Sequence, residues 1–267
     1  MKLKKLLSLA LVVVLALSVV GCSKKTSDEN VIKIGVSPDP HAKLVSLVVD
    51  DLEKEGIKIE IIEFTDYVKP NLAVNDGEID ANFFQHEPYL NDFKAKEKLN
   101  IVSLGKIHVE PMALYSSKYK TIEEIPDGAE IAIPNDTVNG GRALLLLEAN
   151  GLIKLKDGVG YEATENDVTE NLKNLKFTPL EAAFLPKSLD GVDAAIINGN
   201  YALEGGLNPV KDGLLIEGGE SPYANLIAVR AGEETQDRFV KLLKALQSEK
   251  VKKYIEENYD GAVVPAF

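Results

Sequence analysis

Short apolar runs alternate with amphipathic stretches along most of the chain, and this alternation predicts strands separated by helices. Residues 31–37 (VIKIGVS) and 57–64 (IKIEIIEF) are rich in β-branched residues, which is typical of strands. Between them, apolar residues recur at helical spacing until Gly56, at Leu44, Leu47, Val48 and Leu52. Because glycine commonly ends a helix, the sequence predicts a strand, a helix and a second strand in this order.

The same order of elements recurs in the second half of the chain. Strands are predicted at 78–84, 129–136, 175–181 and 192–199, with helices at 66–77, 139–151 and 182–191. The segments NDGEIDA (75–81) and LDGVDAA (189–195) are also similar, since each places a glycine before an Asp-Ala strand. Strands that alternate with helices indicate α/β units with parallel sheets. We therefore predict two similar α/β lobes.

Two stretches join strand-like residues to Gly, Pro and Ser, and we interpret them as paired crossings between the lobes. They are residues 111–128 and 213–230. After the second crossing, a long helical stretch is expected to return to the first lobe. The prediction divides the chain into lobe 1 (31–117 plus 216–267) and lobe 2 (118–215). Ligands of open α/β sheets bind beyond the carboxyl ends of the strands, so a ligand cleft is expected between the lobes.

The first residues have the layout of a secretory signal. Three lysines precede an apolar run from Leu6 to Val20, which is short for a membrane span. Cys22 is the only cysteine of the chain, and the segment Val-Val-Gly-Cys resembles a bacterial lipobox. We predict a signal peptide at residues 1–21, lipidation of Cys22 and a polar tether at 22–30. The protein is then extracytoplasmic and anchored to the cell membrane by its lipid.

The charge of the chain narrows the choice of partners. The formal net charge is −12, and removal of the signal with its three lysines and no acid takes it to −15. Nucleic acid and anionic lipid surfaces are therefore excluded as partners of the folded part. Without a second cysteine, no intrachain disulfide can form.

Polar and aromatic residues follow three of the predicted strands, at 82–89, 134–142 and 197–202. In the second stretch, Asn139 to Arg142 is interpreted as a helix start, where free backbone amides attract an anion. Arg142 adds a fork suited to a carboxylate. In the first stretch, Phe84 and His86 lie two residues apart and therefore on one side of a strand. Each motif alone is also compatible with an ordinary turn or a core position.

Four longer stretches resemble the NlpA/MetQ family, the lipid-anchored methionine-binding components of bacterial ABC importers. They are DANFFQHEPYL, IPNDTVNGGRALLLLEANGLIKLKDGVG, KSLDGVDAAIINGNYA and ESPYANLI, and the resemblance runs from about Ile32 to the carboxyl terminus. It implies a two-lobed periplasmic-binding-protein-like fold that closes around methionine and delivers it to a permease and ATPase complex. No enzymatic activity is expected, because the sequence has no Gly-x-Ser-x-Gly or His-Glu-x-x-His motif and Cys22 is at the predicted lipid site. We also predict a monomer without a cofactor.

The resemblance further implies which residues hold the ligand. An apolar pocket for the thioether side chain would be formed by Tyr67, Phe84, His86 and Tyr89. A polar clamp on the amino-acid backbone would be formed by Asn139, Arg142 and Asn198. Two alternatives stay open: a ligand that is a methionine dipeptide or another apolar amino acid, and a metal-binding lipoprotein. In the second, the zinc ligands would be His41, His86 and His108, although their spacing is not that of a metal site.

Overall fold

The structure, a computed structural model, describes residues 30–218 and 222–267. The predicted signal peptide, and with it Cys22 and the tether up to residue 29, lies outside the described residues. Within the described part, no helix has both the length and the apolar character needed to cross a membrane.

Thirteen strands and nine α-helices are described. The strands are β1 (Val31–Val36), β2 (Lys58–Glu63), β3 (Ala81–His86), β4 (Ile101–Val109), β5 (Ala113–Tyr115), β6 (Glu130–Pro134), β7 (Ile153–Leu155), β8 (Val168–Asn171), β9 (Lys176–Leu180), β10 (Ala194–Ile197), β11 (Leu215–Ile216), β12 (Ala224–Arg230) and β13 (Val264–Pro265). The helices are α1 (Lys43–Lys54), α2 (Lys69–Asn75), α3 (Glu87–Glu97), α4 (Thr137–Ala149), α5 (Leu185–Ser188), α6 (Gly199–Glu204), α7 (Pro209–Asp212), α8 (Asp237–Leu246) and α9 (Glu249–Asn258).

The strands form two main sheets, one in each lobe, and a small hairpin. The order of the first sheet is β13-β4-β12-β3-β1-β2, the order of the second is β11-β5-β10-β6-β9, and β7 pairs with β8. This arrangement confirms the predicted two-lobed α/β fold. The sheets are mixed, however, and the prediction of parallel sheets is wrong for some of their strands. In the first sheet, β12 runs antiparallel to its neighbours β3 and β4. In the second sheet, β5 runs antiparallel to β10.

The internal similarity of the sequence corresponds to a repeated topology. In the first sheet, β1 lies between β2 and β3 and runs parallel to both. In the second sheet, β6 lies between β9 and β10 in the same way. The matching segments 75–81 and 189–195 lead into β3 and β10, which are the equivalent strands of the two sheets. Each of these strands is then flanked by an antiparallel strand, β12 or β5.

The chain passes between the sheets twice. The first crossing, residues 110–112, links β4 to β5. The second crossing lies between β11 and β12, and its described residues are 217, 218, 222 and 223. The lobe limits expected from the sequence, 117/118 and 215/216, stay a prediction. Sheet membership favours limits within the crossings instead, because β5 pairs in the second sheet although its residues were assigned to lobe 1.

The two carboxyl-terminal helices cover the first sheet, as the sequence predicts. Their apolar face packs with β1 and α1 in one core, through Phe239, Leu242, Leu246, Val251 and Ile255. The predicted single helical stretch is interrupted, because Ser248 begins α9 as its N-cap and accepts a hydrogen bond from the Val251 N–H.

Candidate functional site

A narrow cavity lies between the two sheets. It is bounded by the end of β3, the start of α3, the first crossing, α4 and the segment that follows β10. The side chains that line it are Tyr67, Phe84, Gln85, His86, Tyr89, Glu110, Asn139, Arg142, Asn198, Gly199, Asn200 and Asn225. All seven side chains that the family resemblance selects are in this group, and their role in ligand binding stays a prediction.

One wall of the cavity is aromatic. The ring of Tyr67 lies 5.7 Å from Phe84, 5.9 Å from Tyr89 and 4.9 Å from Tyr201, measured between centroids. The hydroxyl of Tyr89 donates to the carbonyl of Tyr67 at 3.0 Å, and the hydroxyl of Tyr67 donates to Asn200 Oδ1. These bonds keep the polar ends of the rings satisfied, so that their faces form an apolar surface.

A bulge in β3 sets the direction of this wall. Phe83 pairs with Ile227 and Gln85 pairs with Leu226, so Phe84 is an extra residue in the register against β12. A bulge changes the alternation of side chains along a strand. Consequently Phe84, Gln85 and His86 all line the cavity, whereas Phe83 packs in the core of the first lobe. The expectation that Phe84 and His86 share a side is met, although strict alternation would have excluded Gln85.

The opposite wall is polar and centred on Asn139. Its Oδ1 accepts hydrogen bonds from His86 Nε2 at 3.2 Å and from Asn198 Nδ2 at 3.0 Å. Its Nδ2 donates to both carboxylate oxygens of Asp136, at 3.1 and 3.0 Å. Because His86 Nδ1 accepts from the N–H of Tyr89, the ring proton is on Nε2. Burial, with the Arg142 charge nearby, lowers the pKa of His86 to about 3, so this histidine is neutral at pH 7.

Arg142 is buried with only 4% of its surface exposed. Its Nε and Nη2 donate to the carboxylate of Glu217 at 2.7 and 2.5 Å, and Nη2 also donates to the carbonyl of Glu110 at 2.9 Å. Its guanidinium lies 4.1 Å from the centre of the Tyr223 ring. Within the described residues, Nη1 has no hydrogen-bond partner. Arg142 therefore brings a positive charge to the cavity that is already partly balanced by a carboxylate.

The helix starts two residues before the expected position, and its amides at Asn139 and Gly140 are not free as the sequence predicted. Helix α4 begins at Thr137, and Asp136 is its N-cap, accepting from the Asn139 N–H at 2.9 Å. The Gly140 N–H already donates to the Asp136 carbonyl at 2.8 Å. The backbone amides near Arg142 are thus part of the helix and are not free to bind an anion. What the helix contributes is the position of two side chains, Asn139 and Arg142, on the side that faces the cavity.

The two glycines of this helix serve packing. A Cβ on Gly141 would lie 2.1 Å from the carbonyl oxygen of Tyr161, and a Cβ on Gly140 would lie 2.8 Å from that of Pro134. Both contacts are with backbone, which cannot move easily out of the way. The glycines allow α4 to approach the neighbouring chain closely.

Glu110 is a cavity residue that the sequence analysis missed. It is 5% exposed, and two fully buried histidines flank it: His108 Nε2 lies 2.7 Å and His41 Nε2 lies 3.3 Å from its Oε1. His41 Nε2 also lies 3.2 Å from Asn225 Oδ1. Burial lowers the pKa of His41 to about 4 and that of His108 to about 3. It raises the pKa of Glu110, although nearby His41, the Asn200 N–H and Arg142 act in the opposite direction.

This cluster bears on the metal-binding alternative. The three histidines do not form the predicted set, since His86 bonds to Asn139, whereas His41 and His108 approach each other beside Glu110. A histidine that ligates a metal usually donates its second ring N–H to an acceptor. The Nδ1 atoms of both His41 and His108 lack any partner within the described part of the chain. The arrangement therefore fits two neutral imidazoles better than a metal centre, with His108 donating to the Glu110 carboxyl group and His41 to Asn225 Oδ1.

Comparison with known proteins finds a family that spans the folded chain. Residues 32–267 match the sequence model of the family described as NlpA lipoprotein. The D-methionine-binding lipoprotein MetQ of Escherichia coli strain K12 is 44% identical over 254 residues, which are 93% of this chain and 93% of that protein.

Solved structures agree with the computed fold. A nutrient binding protein from Burkholderia cenocepacia, solved bound to methionine, superposes with a TM-score of 0.84 at 47% identity, covering 88% of this chain and 100% of that one. The methionine binding protein MetQ superposes with a TM-score of 0.87 at 43% identity, covering 90% of this chain and 99% of that one.

Proposed function

The chain belongs to the NlpA lipoprotein family, and from this premise we propose that it is a lipid-anchored, extracytoplasmic solute-binding protein that captures methionine for an ABC importer. The observation that carries the proposal is one cavity in which a wall of three aromatic rings faces a buried guanidinium. The relatives named for methionine, and the one solved with methionine bound, support the same ligand.

The chemistry of the two walls matches the two ends of methionine. The thioether side chain would lie against Tyr67, Phe84 and Tyr89, where burial contributes roughly 1.5–3 kcal/mol and sulfur–ring contacts roughly 0.3–1.5 kcal/mol. The carboxylate would bind to Arg142, where a charge-assisted hydrogen bond contributes roughly 1.5–3 kcal/mol. Asn139 and Asn198 would complete the clamp on the amino-acid backbone.

The ammonium group of the ligand also needs a partner. Glu110 and Asn225 both line the cavity and offer oxygen acceptors. The flanking histidines are neutral and would not cancel a negative charge on Glu110. Burial raises the pKa of this carboxyl group, and an ammonium group bound beside it would favour its charged form. A zwitterion then finds one guanidinium and one carboxylate in the same cavity. Together with the aromatic wall, these interactions contribute roughly 5–10 kcal/mol before ordering costs are subtracted, a range that includes the roughly 8 kcal/mol of a micromolar complex.

Replacement of the guanidinium tests the proposal. We expect Arg142→Ala to weaken methionine binding at least tenfold in a calorimetric titration, because the ligand carboxylate loses its charged partner. Arg142→Lys, which retains the charge but not the planar fork, should weaken binding less. A change of less than twofold in Arg142→Ala would contradict the clamp. Parallel titrations with a methionine dipeptide and with leucine compare the alternative ligands directly.

The attachment and delivery steps are part of the same proposal. Lipid on Cys22 would hold the protein at the membrane, and the tether up to residue 30 would let the two lobes reach an importer. Its partners would be the permease and ATPase of that importer, and the protein would act as a monomer without a catalytic step. The family description as a lipoprotein supports the anchor.

A further inference from the structure

Glu217 connects the cavity to both crossings without lining the cavity itself. It is the first residue of the second crossing, and its backbone N–H donates to the carbonyl of Met112 in the first crossing at 2.9 Å. Its Oε2 lies 3.3 Å from the Met112 nitrogen, which donates to it. Three partners thus fix the position of Glu217: the carbonyl of Met112, the N–H of Met112 and the guanidinium of Arg142.

Arg142 is held almost entirely by the two crossings. The Glu217 carboxylate accepts hydrogen bonds from Nε and Nη2, and the carbonyl of Glu110 accepts a second one from Nη2. The guanidinium lies over the Tyr223 ring. Glu110 belongs to the first crossing, and Glu217 and Tyr223 belong to the second. A planar guanidinium that is fixed along one edge has a defined direction for its remaining nitrogen, Nη1.

We propose that Glu217 is a positioning residue for ligand binding. It fixes the Nε and Nη2 edge of Arg142, so that Nη1 is directed to the ligand carboxylate. Through its contacts with Met112, it also links the guanidinium to both crossings. This inference rests on the proposed function, because it assumes an anionic group at Arg142. Glu217 acts through Arg142 and makes no contact with the ligand.

The charge of Glu217 also acts on ligand affinity in the opposite direction to its positioning role. Its negative charge partly neutralises Arg142 and, by charge alone, weakens the attraction of the guanidinium for a second carboxylate. Removal of that charge would therefore strengthen binding if Glu217 were only a counterion. Removal of the bidentate contact would weaken binding if Glu217 sets the geometry, since an amide accepts at one atom and presents N–H groups at the other. The sign of the change separates the two roles.

The test compares two ligands in calorimetric titrations of the full chain. Methionine carries the carboxylate, whereas methioninol has a hydroxymethyl group in its place. In Glu217→Gln, we expect methionine to bind at least fivefold more weakly than to the unchanged protein, and methioninol to change less than twofold. Glu170→Gln is the matched control, because Glu170 is exposed and, among residues 30–218 and 222–267, pairs only with Lys154 at 3.4 Å. It should leave both affinities unchanged.

A second variant changes the geometry of the contact while the charge at position 217 stays the same. Glu217→Asp retains the carboxylate but shortens the side chain by one methylene, so it cannot keep the same bidentate contact. The same selective loss for methionine is expected here, and it can be measured if Glu217→Gln does not fold.

Each other outcome overturns the proposal in a recognisable way. Tighter methionine binding in Glu217→Gln assigns Glu217 a purely electrostatic role, and unchanged binding shows that it does not position Arg142 for the ligand. Equal losses for methionine and methioninol assign it a role in folding alone. If the unchanged protein binds methionine no better than methioninol, the proposed function fails first, since no carboxylate is then recognised.

Discussion

A shift of pH from 7 to 5.5 is predicted to destabilise the protein through its histidines. The chain has only three, His41, His86 and His108, and each is at most 5% exposed. Burial lowers their pKa values to about 4, 3 and 3, whereas an unfolded chain has a histidine pKa of about 6.5. At pH values between about 4 and 6.5, the unfolded state therefore binds more protons at these histidines than the folded state does. Stability is therefore full above about pH 6.5 and is lost as the pH falls toward 4.

The magnitude follows from the size of the pKa shifts. A depressed pKa reduces the free energy of unfolding by about 1.4 kcal/mol for each pH unit below 6.5. From pH 7 to 5.5, the three histidines together contribute a loss of about 4 kcal/mol, shared about equally among them. Three carboxyl groups act in the opposite direction: burial raises the pKa of Glu204 to about 7 and also raises the pKa values of Glu110 and Asp136. With the share of the exposed Glu204 reduced by solvent screening, the net loss is about 2–3 kcal/mol.

Urea unfolding followed by circular dichroism at pH 7.0 and 5.5 measures the effect. We expect a net decrease of about 2–3 kcal/mol in the free energy of unfolding of the unchanged protein. In His108→Gln the decrease should be smaller by about 1 kcal/mol, because one titrating group has been removed. A decrease below 1 kcal/mol in the unchanged protein, or the same decrease in the variant, would refute the reasoning that buried neutral imidazoles dominate this pH range.

Two further predictions concern other parts of the chain. Gly141→Ala should lower the free energy of unfolding by about 1–3 kcal/mol in urea melts, because its Cβ would meet the Tyr161 backbone; Gly191→Ala, whose Cβ would lie 3.6 Å from the nearest atom, should have little effect. Cys22→Ser should abolish incorporation of radioactive palmitate into the protein in growing cells, and persistent labelling would exclude Cys22 as the lipidation site.

The pattern of apolar residues predicts the elements well where each element is buried on one face. Helix α1 and strands β1 and β2 begin and end within one or two residues of their predicted limits. The break between α8 and α9 was missed because apolar residues continue at helical spacing on both sides of it. Only the capping role of Ser248 marks the break, and a serine inside a long polar and apolar pattern is a weak signal by itself.

The cavity could be predicted only in part. Residues that follow strands were found because the carboxyl ends of strands meet at one edge of a sheet. Glu110 and Asn225 were missed because neither follows a predicted strand. Glu110 lies in the first crossing and Asn225 lies at the start of β12, and only contacts distant in sequence place them at the cavity. His41 and Asn225, for example, are 184 positions apart. A glutamate between two strands carries no local sign that two histidines will bury it.

The contacts across the cleft limit how tightly any ligand can bind. His86 of the first lobe bonds to Asn139 of the second, and Tyr67 bonds to Asn200. The Tyr201 hydroxyl donates to the carbonyl of Thr65 at 3.1 Å. The lobes therefore hold each other through some of the same groups that line the cavity. A ligand that takes over such a group exchanges one hydrogen bond for another and gains only the difference between the two. Selectivity then depends on what the cross-lobe contacts cannot supply: a carboxylate for Arg142 Nη1, and an apolar side chain for the aromatic wall.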